Sequence, residues 1–386
     1  SQLDAVDTHA YWQHPAFPGT PWDPRNWYVV NEPMVNHPLD GTITWLASRR
    51  VLGKPFTVTE YNHPAPNMYD AEAFVILSAY AAMQDWDAIF AFAYDNVGDA
   101  RRITGYFDIS QSPQKMASLL LAHAIFVRGD VAPASNLVTI PINREVEIDL
   151  LVRGKLHAWD MPGAHHLGWD PATPLIYRFA LEVNGSAKSG PAPSPGPAYR
   201  SDNGQVIWDC SESKNCVLVV NSQRTVAVVG FGVGRNFNFE DVSIELERAL
   251  LNFSVVGLTS LDDKPLTESG RMLLVALGYT GNTGLELREY GTSRVVARVS
   301  QTPQGYAVDI SQPLNVPVTC GDNWGSAPTI AEGIRAKIRV KGEVEVWALD
   351  NTGRRMERVP VSSEGGWSVF EIGPQYKTIW YEVSRH

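Results

Sequence analysis

Two fold classes follow one another in this sequence: an α/β segment with parallel strands, then antiparallel β-sandwich domains. Three observations predict that order. Over roughly the first 130 residues, buried apolar runs alternate with stretches of helical spacing. Successive strands there need helical crossovers and so lie parallel. After Asp130, short β-branched runs recur between turn residues, which is the spacing of antiparallel sandwiches. The 386 residues are also too many for one ordinary core, so two or three domains are expected.

Taken in order, residues 5–11 form a short, apolar, strand-like run. Residues 42–52 place Ile43, Leu46, Ala47 and Val51 at helical spacing, and Gly53 with Pro55 stops that helix. Residues 55–60 carry the run Phe56-Thr-Val-Thr and predict a buried strand. Residues 69–84 are apolar all round, as in a heavily buried helix. Residues 88–94 form a continuous apolar strand of the parallel-sheet kind. A third helix spans 113–127, with Ser112 as N-cap, Pro113 at its first position and Gly129 past its end. Beyond Asp130, strands are expected over 145–152, 175–183, 217–220, 225–233, 271–277, 334–340, 344–348 and 378–383. The Pro-rich stretch 190–197 cannot lie inside a sheet. The resulting division is 1–130, 131–295 and 296–386, with the last two as separate sandwiches.

A formal net charge of -10 opposes nucleic-acid binding, because phosphate contacts need a basic face. No run approaches the roughly 20 apolar residues of a membrane helix, so no membrane partner is expected. Ser1-Gln-Leu-Asp has no signal-peptide pattern. Processing would remove a leader, and a secreted or periplasmic location is favoured. Cys210 and Cys216 flank a polar turn between two apolar runs. A disulfide is sterically allowed there, and two free thiols are an equal alternative. Cys320 has no obvious partner. His165-His166 lacks the spaced ligands of a zinc site, so neither metal nor cofactor is expected. The 12 Trp and 14 Tyr are mostly sheet packing. Tyr11, Trp12, Trp22, Trp27 and Tyr28 stand apart, since they lie among Pro and Gly in a loop, where rings suit the C–H face of a sugar.

The chemistry concentrates in Phe56-Thr-Val-Thr-Glu60-Tyr61-Asn62-His63-Pro64. A buried strand delivers a carboxylate at its C-terminal end, the edge at which β/α barrels build active sites. Glu60, screened there by aromatics, suits glycosidic cleavage, which takes one carboxylate as nucleophile and one as acid. A strand-end Glu that caps a helix or pairs with an Arg is the structural alternative. The strand before ends in Asp7-Thr-His9-Ala-Tyr11-Trp12, and the strand after in Phe92-Ala-Tyr94-Asp95-Asn96. Three consecutive strands thus close on polar and aromatic side chains.

This arrangement resembles strands six, seven and eight of the clan A glycoside hydrolases, (β/α)8-barrel retaining enzymes that include cellulases and xylanases. The resemblance implies that residues 1–130 are the C-terminal portion of such a barrel, with Glu60 as nucleophile. His9 and Tyr11 match the His-x-Tyr of strand six, and Tyr94 takes the place of the usual Trp as a floor for the sugar. Trp12, Tyr61, Asn62 and Asp95 complete the expected substrate contacts. The implied substrate is a β-linked polysaccharide or oligosaccharide, cleaved by double displacement. The regions around 261–269 and 281–284 are similar to sandwich modules that trail these barrels. Clan A enzymes take their acid/base Glu from an Asn-Glu-Pro after strand four, and Asn31-Glu32-Pro33 has that form. It lies, however, after the strand assigned as six and less than one βα unit before Glu60, where three units need roughly 90 residues. Glu32 serves as acid/base only if its loop folds back to set the two carboxyls about 5–5.5 Å apart. Strands one to five would come from a missing N-terminal segment or a second chain. The alternative function is a non-catalytic carbohydrate-binding or structural module whose barrel remnant lacks the acid/base.

Overall fold

The computed structural model describes residues 4–96, 98, 101–152, 167–311 and 315–385. Strand β1 (Val6–Tyr11) is followed by a short strand, β2 (Val29–Asn31), and helix α1 (Thr42–Ala47). Then come β3 (Phe56–Asn62), α2 (Ala73–Gln84), β4 (Ala88–Ala91) and α3 (Pro113–Ala122). A π-helical turn over His123–Val127 prolongs α3. Ser112 caps α3, its hydroxyl accepting from the Lys115 amide. β1, β3 and β4 make a parallel sheet with β3 in the centre. Phe56 and Val58 share a core with α2, whereas Asp7, His9 and Thr59 leave the other face exposed. Among the described residues neither β1 nor β4 has a second neighbour, so the sheet is open at both edges.

Every residue of α2 is buried, because a second sheet covers its far side. There Tyr80 packs on Trp208, with ring centroids 5.5 Å apart. That nine-stranded sheet begins at Ala198–Arg200 and Val206–Asp209 and passes through Thr225–Gly230, Ser254–Ser260 and Arg271–Leu277. It ends with Trp380–Ser384, Glu345–Leu349 and Arg355–Val359. A five-stranded sheet containing Val242–Leu246, Ala336–Lys341 and Trp367–Ile372 shares a second core with it, in the manner of a sandwich. Val228, Leu258 and Leu274 cluster there with Ile244, Ile338 and Phe370. Arg271–Leu277 pairs with Trp380–Ser384, and Val242–Leu246 with Ala336–Lys341. Both sheets therefore take strands from either side of residue 295, and the division suggested there by sequence is not where the sheets part.

A further five-stranded sheet, built on Glu286–Glu289, Val295–Thr302, Gly305–Ile310 and Val316–Thr319, takes β2 as an edge strand. The loop after β1 is thereby pinned to the C-terminal sheets. Strands expected near 217, 225, 271, 336, 345 and 380 are present. Residues 145–152 are not a strand but lie in helix α4 (Arg144–Val152). The alternation Val146, Ile148, Leu150, Val152 suggests period two, but the Asn143 carboxamide accepts from the Val146 amide at 3.0 Å and starts a helix. Glu145 and Glu147 then sit in its first turn, where the helix dipole favours acids. Residues 175–183 divide into a helical turn (Thr173–Ile176) and a strand. Here β5 (Leu137–Ile142) and β6 (Arg178–Val183) pair in parallel, not antiparallel.

Cys210 and Cys216 are joined by a disulfide across the hairpin of Val206–Asp209 and Val217–Asn221. Cys320 is a free thiol, which burial pushes up to about 12. Among the described residues no group of three or more His, Cys, Asp or Glu could hold a metal ion, and no helix is long and apolar enough to cross a membrane. His165 and His166 lie outside the described residues.

Candidate active site at the end of the parallel sheet

The pairing of β1 with β3 slips by one residue, so that Thr8 lies opposite Val58 and His9 opposite Glu60. Thr59 is the extra residue of this β-bulge, and it reverses the alternation of faces. Before the bulge Phe56 and Val58 point into the core; after it Tyr61 does. Thr59 and Glu60 both reach the exposed side. His9 contacts each of them, with Nε2 3.0 Å from Thr59 Oγ1 and Nδ1 3.4 Å from Glu60 Oε2. The Tyr11 phenol donates a short hydrogen bond to the same Glu60 oxygen. Burial first, then the bond to Glu60 and its charge, push that phenol above its ordinary value, so it remains a proton donor.

Asp7 lies on the same face, accepting from Thr57 Oγ1 at 2.6 Å and Thr59 Oγ1 at 2.7 Å, 3.2 Å from His9 Nε2. Thr59 gives its proton to Asp7, so its oxygen is left to accept, which puts a proton on His9 Nε2. Burial pushes Asp7 up, but the bonds from Thr57 and Thr59 and the nearby His9 outweigh it and leave its carboxyl below the ordinary value. Asp7 is therefore ionised at neutral pH and is no proton donor. An open cleft of about 460 Å3 runs beside this edge, lined by His9, Tyr11, His14, Asp40 and Trp45 among others.

Rings surround the phenol. Tyr11 lies 5.1 Å from Phe107, 5.4 Å from His14 and 5.9 Å from Phe92, centroid to centroid. Asn62 holds this shell together, its amide donating to the carbonyls of Phe92 at 2.5 Å and Phe107 at 2.7 Å. Asn62 is buried in that task and presents nothing to the cleft. Of the other expected sugar contacts, Tyr61 turns inward, and Trp12 is mostly buried but forms part of the cleft wall. Tyr61 is fully buried, with its hydroxyl 3.0 Å from Thr42 Oγ1 and 3.1 Å from His63 Nε2. Trp12 is buried and donates to the Glu32 carbonyl at 2.8 Å. Tyr94 is 66% exposed beyond β4, after a cis Phe92–Ala93 peptide. Asp95 follows it, also exposed, and accepts from the Gly98 amide at 2.7 Å.

Glu32 has partners of its own. One carboxylate oxygen lies 2.7 Å from His37 Nε2, and the other accepts from Gln13 Nε2 at 2.9 Å. The Glu32 bond, opposed by burial and helped by Asp40, raises His37 to about 9, so the ring is a cation at neutral pH. Beneath this loop the wholly buried Glu72 accepts from the amides of Met34 at 2.5 Å and Val35 at 3.0 Å. Among the described residues Glu32 and Glu60 share no hydrogen-bond or ion-pair partner.

Sequence reasoning counts Asp7 in the first strand-end cluster without giving it a role, and gives none to Thr59, His14 or Phe107. Asp7 carries a usable signal, since it stands two residues before His9 and so on the same strand face. Phe107 carries none, because it reaches Tyr11 from beyond β4 through the fold alone. Compared with known proteins, this chain matches no family model, no curated protein and no solved structure.

Proposed function

We propose that the chain carries the nucleophile side of a retaining β-glycan hydrolase of the clan A type, with β1, β3 and β4 as strands six to eight of a (β/α)8 barrel. One observation carries this reading: Glu60 stands at the C-terminal end of the central parallel strand, on the exposed face, with the Tyr11 phenol donating to it and His9 Nδ1 3.4 Å away. In this reading Glu60 attacks the anomeric carbon of a β-linked glucan or xylan. The glycosidic oxygen leaves with a proton from a separate acid, and water then cleaves the glycosyl ester and frees the carboxylate. Tyr11 donates to the carboxylate and aims the attacking oxygen. The two open sheet edges and the polar face of Asp7, Thr57 and Thr59 suit the addition of further parallel βα units. An N-terminal segment or a second chain would supply them, and the acid with them. A secreted or periplasmic location fits a polysaccharide substrate.

The pairing of Glu32 with His37 favours a second reading, in which the three strands bind glycan and catalyse nothing. Turnover of β-1,4-glucan and xylan by protein freed of host glycosidases separates the two. Glu60→Gln is expected to lower turnover by about three orders of magnitude or more, and Glu32→Gln to change it little. Unchanged turnover in Glu60→Gln would end the nucleophile assignment. Glycan binding without turnover in the parent chain would leave the module reading standing.

A further inference from the structure

The loop between β1 and β2 presents one large ring to solvent beside the Glu60 cluster. Trp22 is 58% exposed, and its backbone sits at φ 62°, in the left-handed region that side chains rarely adopt. A bulky residue kept exposed in such a conformation is a reason to look for function. Its ring rests against a built support, with centroids 4.9 Å from Phe17, 6.0 Å from His14 and 6.5 Å from Phe107. Phe107 and His14 are also the rings that pack on Tyr11, at 5.1 and 5.4 Å. Trp22 is thus one ring removed from the phenol that holds Glu60.

The loop that carries Trp22 is anchored at its base. Ala16 and Tyr28 exchange backbone hydrogen bonds of 2.8 and 3.0 Å. Trp27 is fully buried, donates to the carbonyls of Pro24 and Gly321, and stacks on Trp324 at 5.4 Å with planes 10° apart. Tyr290 donates to Asn26 Oδ1 at 2.7 Å. One Trp of the loop fixes it to the C-terminal sheets, and the other is left free at its surface.

We propose that Trp22 is a stacking platform for a pyranose ring of the glycan whose neighbouring sugar lies at Glu60. The proposal rests on the glycosidase reading of that site. A flat indole offers a sugar an apolar face of matching size, and its fixed loop means that little freedom is lost on binding. The ring contributes to holding the chain of sugars and takes no part in the bond chemistry.

Calorimetric titration of the full chain with cellohexaose and with xylohexaose tests this, alongside Trp22→Ala, Trp22→Phe and Glu60→Gln. The expected result is binding by the parent and by Glu60→Gln, at least about tenfold weaker binding by Trp22→Ala, and near-parental binding by Trp22→Phe. Melting curves of Trp22→Ala should lie close to the parent's, because the ring is more exposed than buried and the packing it loses on Phe17, His14 and Phe107 is small. Parental affinity in Trp22→Ala would overturn the platform and leave the site reading in place. No binding of either sugar by the parent would overturn the site reading, and the platform with it.

Discussion

His37 gives the residue scale its clearest pH dependence. Its ring pairs with Glu32 at 2.7 Å and with Asp40 at 3.2 Å, and its folded value of about 9 lies above the unfolded 6.5. The folded state therefore holds the proton more tightly. The stability gained is fully present below about pH 6.5 and is lost as pH rises through about 9. The amount is on the order of 1–3 kcal/mol, because the ring is largely buried but Asp40 is not. Denaturant unfolding at about pH 6 and about pH 10 checks it, and His37→Gln should flatten the difference. A slope that survives His37→Gln would assign the effect to other groups. Single residues were also where the sequence was most and least legible. His9, Tyr11 and Glu60 come together because strand ends announce themselves by composition. Tyr61 does not join them, because the bulge at Thr59 exchanges the faces, and no local signal marks a bulge whose residue is an ordinary Thr; Asn62 does not, because the carbonyls of Phe92 and Phe107 occupy it.

Among the elements, α3 shows how closely helix and sheet are fitted. Gly257, in the strand Ser254–Ser260, lies under Leu121 of α3. A Cβ built there would come 2.8 and 3.0 Å from the two Leu121 methyls and 3.2 Å from Ala227 Cβ. Leu121 is fully buried, so its methyls can give way only by repacking the core around them. Gly257→Val should therefore destabilise by about 1–3 kcal/mol, and Leu121→Ala in that background should recover part of the loss. A double-mutant cycle in urea measures both, and a neutral Gly257→Val would show the contact to be slack. Helices with caps were legible, as Ser112 and Gly129 bracket the third one. α4 was not, because its apolar residues alternate like those of a strand while Asn143 decides the backbone. A capping bond that satisfies an otherwise orphan amide outweighs a weak pattern in a helix that buries Leu150 alone.

At the scale of the whole molecule, a change of fold class was legible, but it falls later than residue 130, since α4 and the parallel pair β5–β6 still follow that point and the nine-stranded sheet begins at Ala198; nor does it mark a point where the chain comes apart. One continuous core joins Phe56, Val58 and all the apolar residues of α2 to Trp208, Val220, Val255 and Leu277 of the nine-stranded sheet and to Phe253 just before its strand Ser254–Ser260. Trp208 Nε1 reaches across to donate to the Val35 carbonyl at 2.6 Å, and β2 completes a sheet whose other strands lie beyond residue 285. A periodic pattern reveals that α2 is buried all round, but not which surface covers its second side. The covering surface fixes how the chain unfolds. Each large apolar side chain uncovered on the nine-stranded sheet forfeits roughly 1.5–3 kcal/mol, so neither part keeps its stability without the other. The intact chain is expected to melt in one calorimetric transition, with near-ultraviolet and far-ultraviolet signals coincident. Residues 131–386 expressed alone should lack a fixed tertiary signal and bind a hydrophobic dye through the bare face around Trp208 and Phe253. Two separated transitions, or a 131–386 fragment that melts cooperatively like the parent, would show instead that the β-sheets stand alone and that the parallel strands are an appendage.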